Sequence, residues 1–394
     1  MKSNIIQLYF QVHQPVRISE YTFFDIGSST DYFNESLNIE ILQKVSKNCY
    51  LPANEMLTKL IKKFPDTFKI TFSFSGIFLE MIEKYVPEVL VSFQELVKTG
   101  NVEVISETYY HSLASLYDIE EFKEQIILHQ EIIQRLFQTQ SSVFRNTELL
   151  MHEELFEVIK ELHYTHVLCE GTSNIFDSFH PHTKYTHQAT GIELLPRNFE
   201  LSDEIAYRFS DTTLPQYPLT SEKFKNILET YTASTHKIYM DYETFGEHHS
   251  EETGIFTFFN DCVNDLITKH NYNFEKISYD INVPKTEQIT LKKQLITSWA
   301  DFSKDATAWL GNNLQKDAVK QIYDFKTEIF ASKNTELLAI WRKLQTSDHF
   351  YYMSTKRSTD GEVHSYFSPF KTAHDAYLFY TNIIKDLLNK KRLA

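Results

Sequence analysis

Acids and histidines follow four apolar segments that lie far apart in the chain. The segments are NIIQLYFQV (4–12), VEVIS (102–106), SVFRNT (142–147) and HKIYMDY (236–242). The polar residues at or just after their ends are His13, Glu107, His111, Glu148, Asp241, Glu243, Glu247, His248 and His249. Carboxyl and imidazole groups gathered in one cleft can perform general acid–base chemistry at neutral pH.

Strand geometry predicts which of these side chains point in the same direction, because residues two apart on a strand share a face. The predicted pairs are Gln11 with His13, Asn146 with Glu148, and Asp241 with Glu243. Burial and an ionised Glu243 would both raise the pKa of Asp241, as an acid catalyst at neutral pH requires. A protonated and an ionised carboxyl group in one cleft are the chemistry of glycoside hydrolysis.

Each signal taken alone also has an ordinary structural interpretation. A histidine at a strand end is commonly a hydrogen-bonded structural residue, and DYETFGEHH (241–249) alone fits a solvated acidic loop. Glu148 begins a helical pattern and could interact with a helix dipole. The histidines of FHPHTKYTH (179–187) are interpreted as part of a surface loop without carboxylate partners. Only the joint occurrence of acids and histidines at four strand ends favours a functional site.

Strands alternate with helical patterns over the first 285 residues, which predicts βαβ units and a parallel sheet. Two further strands are predicted at FKITFSFS (68–75) and THVLCE (165–170), and helices at LPANEMLTKLIKKFP (51–65) and EEFKEQIILHQEIIQRLF (120–137). In such folds the site lies at the carboxyl ends of the strands. Residues 286–394 have helical periodicity without strand runs, so they are predicted to form a second, helical domain.

Composition excludes several classes of function. Only 9 glycines in 394 residues disfavour an all-β fold, which needs many tight turns. A net charge of −14 disfavours nucleic acid and anionic membranes as partners. Three widely spaced cysteines predict neither disulfides nor a thiolate metal site. The N-terminal segment does not resemble a signal peptide, and no apolar run is long enough to span a membrane, so a cytoplasmic location is expected.

Five motifs then occur in a characteristic order. They are HQP (13–15), GNVEVISETYYH (100–111), FRNTEL (144–149), MDYETFGEHH (240–249) and SWADFSKDATAWLGNNLQ (298–315). Together they resemble the five conserved regions of glycoside hydrolase family 57, the group of α-amylases and related α-glucan enzymes. The resemblance covers nearly the whole chain. In its short form, the chain most resembles the α-amylase subgroup.

The resemblance implies an α/β fold with an incomplete TIM-like (β/α)7 barrel, followed by a C-terminal helical bundle that completes the cleft. It implies a retaining mechanism on α-1,4-glucans without a cofactor or metal. By the same resemblance, Glu148 is the nucleophile and Asp241 the general acid/base. The residues expected to bind substrate are His13, Gln14, Glu107, His111, Arg145, Glu243, His248, Trp299 and Asp301.

Three alternatives stay open at this point. A 4-α-glucanotransferase or branching-type transferase would use the same covalent intermediate, and a non-catalytic α-glucan-binding protein would keep the cleft. A metal-dependent deacetylase or family 38-type mannosidase would use His13 and Asp241 as ligands, although the strand ends lack an Asp-Asp pair or HxxxH set. The sequence leaves chain-length preference and oligomeric state undetermined.

Overall fold

Parallel β-strands form the centre of the fold. This structure, a computed structural model, describes residues 4–176, 183–231, 235–279 and 285–391. The strands in these residues are β1 (Asn4–Val12), β2 (Ile70–Phe74), β3 (Val102–Val104), β4 (Val143–Phe144), β5 (His166–Glu170), β6 (Thr183–His187), β7 (Glu193–Arg197), β8 (Thr235–Asp241), β9 (Tyr272–Phe274) and β10 (Lys285–Ile289).

The strands belong to two sheets. The first has the order β3-β2-β1-β8, with β9 paired to β1, and every pairing in it is parallel. The second has the order β10-β6-β7-β5-β4, in which the β6–β7 pairing is antiparallel and the others are parallel. This arrangement confirms the prediction of an α/β fold with parallel strands.

Backbone hydrogen bonds join the two sheets at two places. Between the edge strands β3 and β4, the Ser106 N–H donates to the Val143 carbonyl (3.2 Å), and the Arg145 N–H donates to the Ser106 carbonyl (2.8 Å). Between the inner strand β7 and the edge strand β8, the Asn198 N–H donates to the Lys237 carbonyl (2.9 Å). The sheets therefore enclose a common interior, which is filled by the buried side chains of Tyr9, Ile105, Val143, Leu149, Leu168, Leu195, Tyr239 and Ile277.

Helices cover the outer faces of the strands. Those up to residue 270 are α1 (Glu35–Val45), α2 (Leu51–Lys63), α3 (Gly76–Tyr85), α4 (Pro87–Lys98), α5 (Ala114–Tyr117), α6 (Ile119–Phe137), α7 (Leu155–Glu161), α8 (Phe199–Ala206), α9 (Ser221–Thr230) and α10 (Ile255–His270). Local chemistry defines their limits: Asp118 caps α6 by accepting the Glu121 N–H, and Gln138 ends it in the left-handed conformation. The predicted helices at 51–65 and 120–137 are confirmed.

The remaining helices pack mainly on the second sheet. They are α11 (Thr307–Leu310), α12 (Asn313–Asp324), α13 (Lys326–Ser332), α14 (Thr335–Lys343), α15 (Ser347–Tyr351), α16 (Ser358–Phe367) and α17 (Ala373–Lys391). Trp309 and Trp341 are buried in one apolar cluster with Phe144 of β4 and Val167 of β5. Burying these large rings removes much apolar area from water and fixes the C-terminal helices against the strands.

The six predicted strands are confirmed with somewhat shorter limits, and four strands were not predicted. β6, β7, β9 and β10 read TKYTH, ELLPR, YNF and KTEQI, which are short and lack a clear apolar pattern. The expectation of a surface loop at 179–187 is wrong for 183–187, which is β6; residues 179–182 lie outside the described residues. The expectation that strands are absent after residue 285 is wrong for β10. Among the described residues, no helix is long and apolar enough to cross a membrane.

Candidate active site

The strands present polar side chains to the enclosed interior in a regular way. In six strands, or in the residues directly after them, a polar residue lies two positions beyond an apolar residue of the interior cluster. The polar residues in these positions are Gln11, Glu107, Arg145, Glu170, Arg197 and Asp241. Because side chains two apart share a face, all six are directed to the same end of the interior. This end is the carboxyl end of the parallel strands.

Glu148 lies on a 3-10 turn, Thr147–Leu149, just after β4. Its Oε1 is 2.7 Å from Nε2 of His111, and its Oε2 accepts the indole N–H of Trp299 at 2.6 Å. Burial would raise the pKa of Glu148, but the hydrogen bond and charge of His111, together with Arg145, lower it below its usual value. Glu148 is therefore ionised at neutral pH, with both oxygens held in place.

His111 connects two carboxylates. Its Nδ1 is 3.3 Å from Oε2 of Glu107 and its Nε2 contacts Glu148. Burial alone would lower the pKa of His111, but the hydrogen bonds to Glu107 and Glu148 outweigh this and raise it to about 9. The imidazole is consequently a buried cation between two anions, which is the arrangement that compensates buried charges best.

Glu107 and Arg145 complete this charge cluster and are both fully buried. Burial would favour the neutral form of Glu107, yet the His111 hydrogen bond and the Arg145 charge lower its pKa to about 2. Gln11 donates its amide N–H to Glu107 at 3.0 Å, and the Arg145 guanidinium lies 3.9 Å from Glu107 and over the Trp299 ring at 5.1 Å. Two anions and two cations, Glu107, Glu148, His111 and Arg145, thus balance one another.

Asp241, the last residue of β8, has the opposite electrostatic character to Glu148. Burial and the negative charge of Glu148 raise its pKa to about 7, although Arg145 and His111 oppose this effect. Strand β1 runs beside β8 with Gln11 in register with Asp241. The cleft therefore contains one ionised carboxylate and one carboxyl group that carries a proton near neutral pH, as acid-catalysed bond cleavage requires.

Glu243 and Gln14 form a second group beside Asp241. Glu243 accepts a hydrogen bond from the Tyr50 hydroxyl, and burial together with the charge of Asp241 raises its pKa to about 8. Gln14 bonds to Glu243 and accepts from Arg17 at 3.0 Å. Strand alternation does not extend to Glu243, because β8 ends at Asp241 and Glu243 lies in a 3-10 turn, Tyr242–Thr244.

The same limit applies to the predicted pairing of Asn146 with Glu148. β4 ends at Phe144, so alternation does not extend to either residue. Asn146 is buried and donates to the Ser115 hydroxyl at 3.0 Å and the Leu150 carbonyl at 2.9 Å. Its amide shapes the turn that presents Glu148, whose φ of 54° lies in the left-handed region that is uncommon outside glycine.

His13 occupies both of its ring nitrogens with protein partners. Nδ1 is 2.7 Å from the Ser75 hydroxyl, Nε2 is 3.0 Å from Oδ2 of Asp348, and the ring stacks on His111 with centroids 3.9 Å apart. Burial and the charge of His111 lower the pKa of His13, so His13 is the neutral member of the stacked pair. Asp348, in α15, carried no signal in the sequence, because nothing local linked that helix to the first strand.

Trp299 brings the segment after β10 to Glu148. Besides the indole N–H bond to Glu148, its backbone N–H donates to the Glu148 carbonyl at 3.1 Å. The guanidinium groups of Arg145 and Arg197 lie 5.1 and 5.7 Å from its ring, within the range of cation–π attraction. Trp299 therefore fixes Glu148 through two hydrogen bonds while two cations fix its ring.

Three residues that support Trp299 were missed by sequence analysis. Glu170 and Arg197 form a buried ion pair of 3.1 Å at the ends of β5 and β7, and Lys304 donates to the Trp299 carbonyl at 2.8 Å. Glu170 ended a predicted strand and could have been found by the same reasoning as Glu148. Arg197 could not, because β7 itself was not predicted.

His248 and Asp301 were predicted to bind substrate and have other contacts. His248 lies beside the ring of Phe367, with centroids 5.8 Å apart, and burial lowers its pKa to about 4. Asp301 is almost fully buried and pairs with Lys356 at 2.6 Å and His364 at 3.1 Å. These contacts attach the Trp299 segment to the C-terminal helices, and the assignment of both residues to substrate remains a prediction.

The structure also bears on the metal-dependent alternative. Within the ranges that the structure describes, no group of three or more histidine, cysteine, aspartate or glutamate side chains could hold a metal ion. His187, from the segment expected to be an isolated loop, is buried and pairs with Glu153 at 3.1 Å. That expectation of histidines without carboxylate partners is wrong for His187.

Comparison with known proteins agrees with this geometry. The model of glycosyl hydrolase family 57 matches residues 7–292. The chain belongs to glycosyl hydrolase family 57. A Methanocaldococcus jannaschii protein named "Putative alpha-amylase" is 38% identical over 395 residues, covering 97% of this chain and 84% of the relative. The protein is a glycoside hydrolase of this family, as the motifs predicted.

Solved structures of family 57 enzymes share the fold. The branching enzyme from Pyrococcus horikoshii has a TM-score of 0.65 at 13% identity, covering 92% of this chain and 88% of that one. The α-amylase AmyC from Thermotoga maritima has a TM-score of 0.59 at 12% identity and 97% coverage of both chains. The 4-alpha-glucanotransferase from Thermococcus litoralis has a TM-score of 0.65 at 16% identity; 89% of this chain covers 56% of its length.

Proposed function

We propose that this protein is a retaining glycoside hydrolase that acts on α-1,4-glucans, with Glu148 as nucleophile and Asp241 as general acid/base. The single observation that carries the proposal is that the surroundings shift the pKa values of the two carboxyl groups in opposite directions. Glu148 is held ionised by His111, whereas burial and the charge of Glu148 raise the pKa of Asp241 to about 7. Glycoside cleavage is a reaction that uses one ionised carboxylate and one protonated carboxyl group in the same cleft.

In the first step a carboxylate oxygen of Glu148 forms a bond to the anomeric carbon, and the bond from that carbon to the leaving oxygen breaks. Asp241 transfers its proton to the leaving oxygen, so the departing sugar leaves as a neutral alcohol. The His111 and Trp299 donors on Glu148 aim the carboxylate and later stabilise the charge that returns to it. The product of this step is a covalent glycosyl-enzyme.

In the second step Asp241 accepts a proton from water while the water oxygen attacks the anomeric carbon and Glu148 departs. The change of role follows from the same coupling. Once Glu148 is esterified its negative charge is gone, and the pKa of Asp241 falls because that charge was one of its causes. Asp241 is then ionised and ready to act as a base.

The finer architecture belongs to the same proposal. Strands β1, β2, β3, β4, β5, β7 and β8 would form an incomplete TIM-like (β/α)7 barrel, supported by the backbone hydrogen bonds that join the residues after β3 to β4 and those after β7 to β8. Residues 1–285 would be the catalytic barrel and 286–394 a helical domain that completes the cleft. The bond from Trp299 to Glu148 supports that second role, and β10 lies across the boundary.

A time course of maltoheptaose turnover followed by proton NMR tests the proposal. We expect new α-anomeric ends to appear first with the wild type and to be absent with Glu148→Gln. First products in the β-configuration would contradict retention, and wild-type activity in Glu148→Gln would contradict its role as nucleophile. Longer oligosaccharides without net new ends would identify a transferase, which uses the same intermediate with a sugar acceptor.

Two further measurements separate the remaining alternatives. Asp241→Asn should lose turnover of maltoheptaose. With an aryl α-glucoside, whose phenolate departs without protonation, the variant should still form the glycosyl-enzyme, and added azide should restore turnover by yielding an α-glycosyl azide, because azide needs no general base to attack the intermediate. Turnover should persist in excess EDTA; its loss would favour the metal-dependent alternative. Binding of maltoheptaose without turnover by the wild type would instead identify a glucan-binding protein and overturn the proposal.

A further inference from the structure

The C-terminal helices contact the catalytic cluster at a second point besides Trp299. Asp348, in the first turn of α15, accepts from Nε2 of His13, and the other ring nitrogen of His13 bonds to Ser75. Asp348 and His13 are 335 residues apart in the chain. A histidine with both nitrogens occupied cannot hydrogen-bond a sugar without giving up a protein partner, so its ring is committed to holding something else in place.

What His13 holds is His111. The two imidazole rings stack with centroids 3.9 Å apart and planes inclined by 17°. His111 then reaches Oε1 of Glu148 at 2.7 Å. A continuous set of contacts therefore runs from Asp348 through His13 and His111 to the carboxylate of Glu148.

We propose that Asp348 is a positioning residue, which acts through His13 to hold His111 against Glu148. The inference rests on the proposed function, because it takes Glu148 as the nucleophile. It differs from the role implied for His13 by family resemblance, since His13 here contacts a histidine of the site through its face and has both ring edges engaged by protein.

The tautomer of His13 is defined by its partners. A carboxylate only accepts hydrogen bonds, so the Nε2–H of His13 donates to Asp348. In the neutral ring, Nδ1 accepts from the Ser75 hydroxyl. Burial and the charge of His111 lower the pKa of His13 and so favour its neutral form, and a neutral ring can lie against the cationic His111 without like-charge repulsion. Removing the carboxylate of Asp348 would free the ring of His13 to rotate and would open one face of His111.

The backbone beside Asp348 is attached to His111 independently. The Ser347 N–H donates to the His111 carbonyl at 2.9 Å, and Thr346 forms an antiparallel bridge with Ser112. His111 itself has a φ of 51°, in the left-handed region. The start of α15 thus fixes the backbone of His111 while the side chain of Asp348 fixes its ring, so two kinds of contact converge on one residue.

Several ionisable groups surround Asp348 and His111. The ionisable groups that interact with Asp348 are His13, His111, His349, Tyr351 and Tyr352. Those that face His111 are His13, Glu107, Arg145, Glu148, Asp241 and Asp348. Replacing Asp348 by asparagine removes its negative charge from the surroundings of His111 and keeps an oxygen that can accept a hydrogen bond from His13.

Kinetics of Asp348→Ala and Asp348→Asn on maltoheptaose test the role. We expect kcat of the alanine variant to fall by up to about 100-fold, the scale set by a misplaced catalytic group, with KM changed less than about twofold. The asparagine variant should recover most of this loss. Asp324→Ala, an exposed aspartate of α12, is the matched control. An unchanged kcat in Asp348→Ala, or a raised KM with kcat intact, would overturn the proposal.

An NMR titration of the His111 imidazole tests the same link without turnover. In Asp348→Asn the pKa of His111 should be lower than in the wild type, because an anion that favours its charged form is gone. An unchanged titration would contradict the coupling. If the wild type turned over no α-glucan, the proposed function would fail by that result alone, and this titration would still decide whether Asp348 acts on His111.

Discussion

Replacement of His111 by glutamine is the most informative perturbation of the site. The change removes a buried cation that touches both Glu107 and Glu148, yet leaves an amide N–H able to donate to Glu148. An opposite charge within about 4–6 Å lowers a carboxyl pKa by about 1–3 units. His111 lies 2.7 Å from Glu148, so its loss should raise the pKa of Glu148 by about 1–3 units, or about 1–4 kcal/mol.

The pKa of Asp241 should move in the same direction. The His111 charge is one of the causes that hold that pKa down to about 7. The acid limb of kcat/KM against pH reports deprotonation of Glu148, and the alkaline limb reports loss of the proton of Asp241, as macroscopic values of the coupled pair. Both limbs of the profile of His111→Gln should therefore lie at higher pH than those of the wild type.

The assay is the initial rate on maltoheptaose at low substrate concentration, from pH 4 to pH 9 at constant ionic strength. His374→Gln, which changes an exposed histidine near the start of α17, serves as the control and should leave the profile unchanged. An acid limb of His111→Gln that stays in place or moves to lower pH would refute the view that His111 keeps Glu148 ionised.

Three other perturbations have defined outcomes. The pKa of Asp241 in the folded protein, about 7, exceeds its ordinary 3.8, so stability is lost as pH rises through 7; urea unfolding of Asp241→Asn should show a gain of up to about 4 kcal/mol at pH 8 and no gain at pH 3. Trp299→Phe loses a hydrogen bond to the nucleophile and should lower kcat/KM about tenfold with little change in Tm. Gly246→Ala places a Cβ against the Asn48 carbonyl oxygen, closer than van der Waals contact, and should lower Tm well beyond Gly27→Ala, which has a similar φ but open space.

Local patterns in the sequence account for much of the site. Arg145 and Asp241 each come two residues after a buried apolar residue of a strand, and Glu107 comes two residues after the buried Ile105, which directly follows β3. This period of two can be read from the chain itself. Glu148 was found by its place after a strand, although its orientation comes from a left-handed turn and the buried amide of Asn146. Alternation could not predict that orientation, because the strand ends before the turn.

Contacts between distant segments account for the remainder. Asp348 and Arg197 reach the site from a late helix and an unpredicted strand, and neither has a local pattern that announces a role. Arg197 forms a buried ion pair with Glu170, where opposite charges influence each other strongly, and Asp348 accepts a hydrogen bond from His13. Such pairing depends on which segments fold side by side.

The sequence by itself determined the family and the α/β character, and it predicted Glu148 and Asp241 as the two acids, because motif order and strand periodicity can be read along the chain. Only the tertiary structure decided their protonation. Burial raises the pKa of Asp241, and the cationic His111, stacked on His13 and bonded to Glu148, lowers the pKa of Glu148. A pKa depends on the dielectric surroundings and on charges within a few ångströms, and those are set by folding.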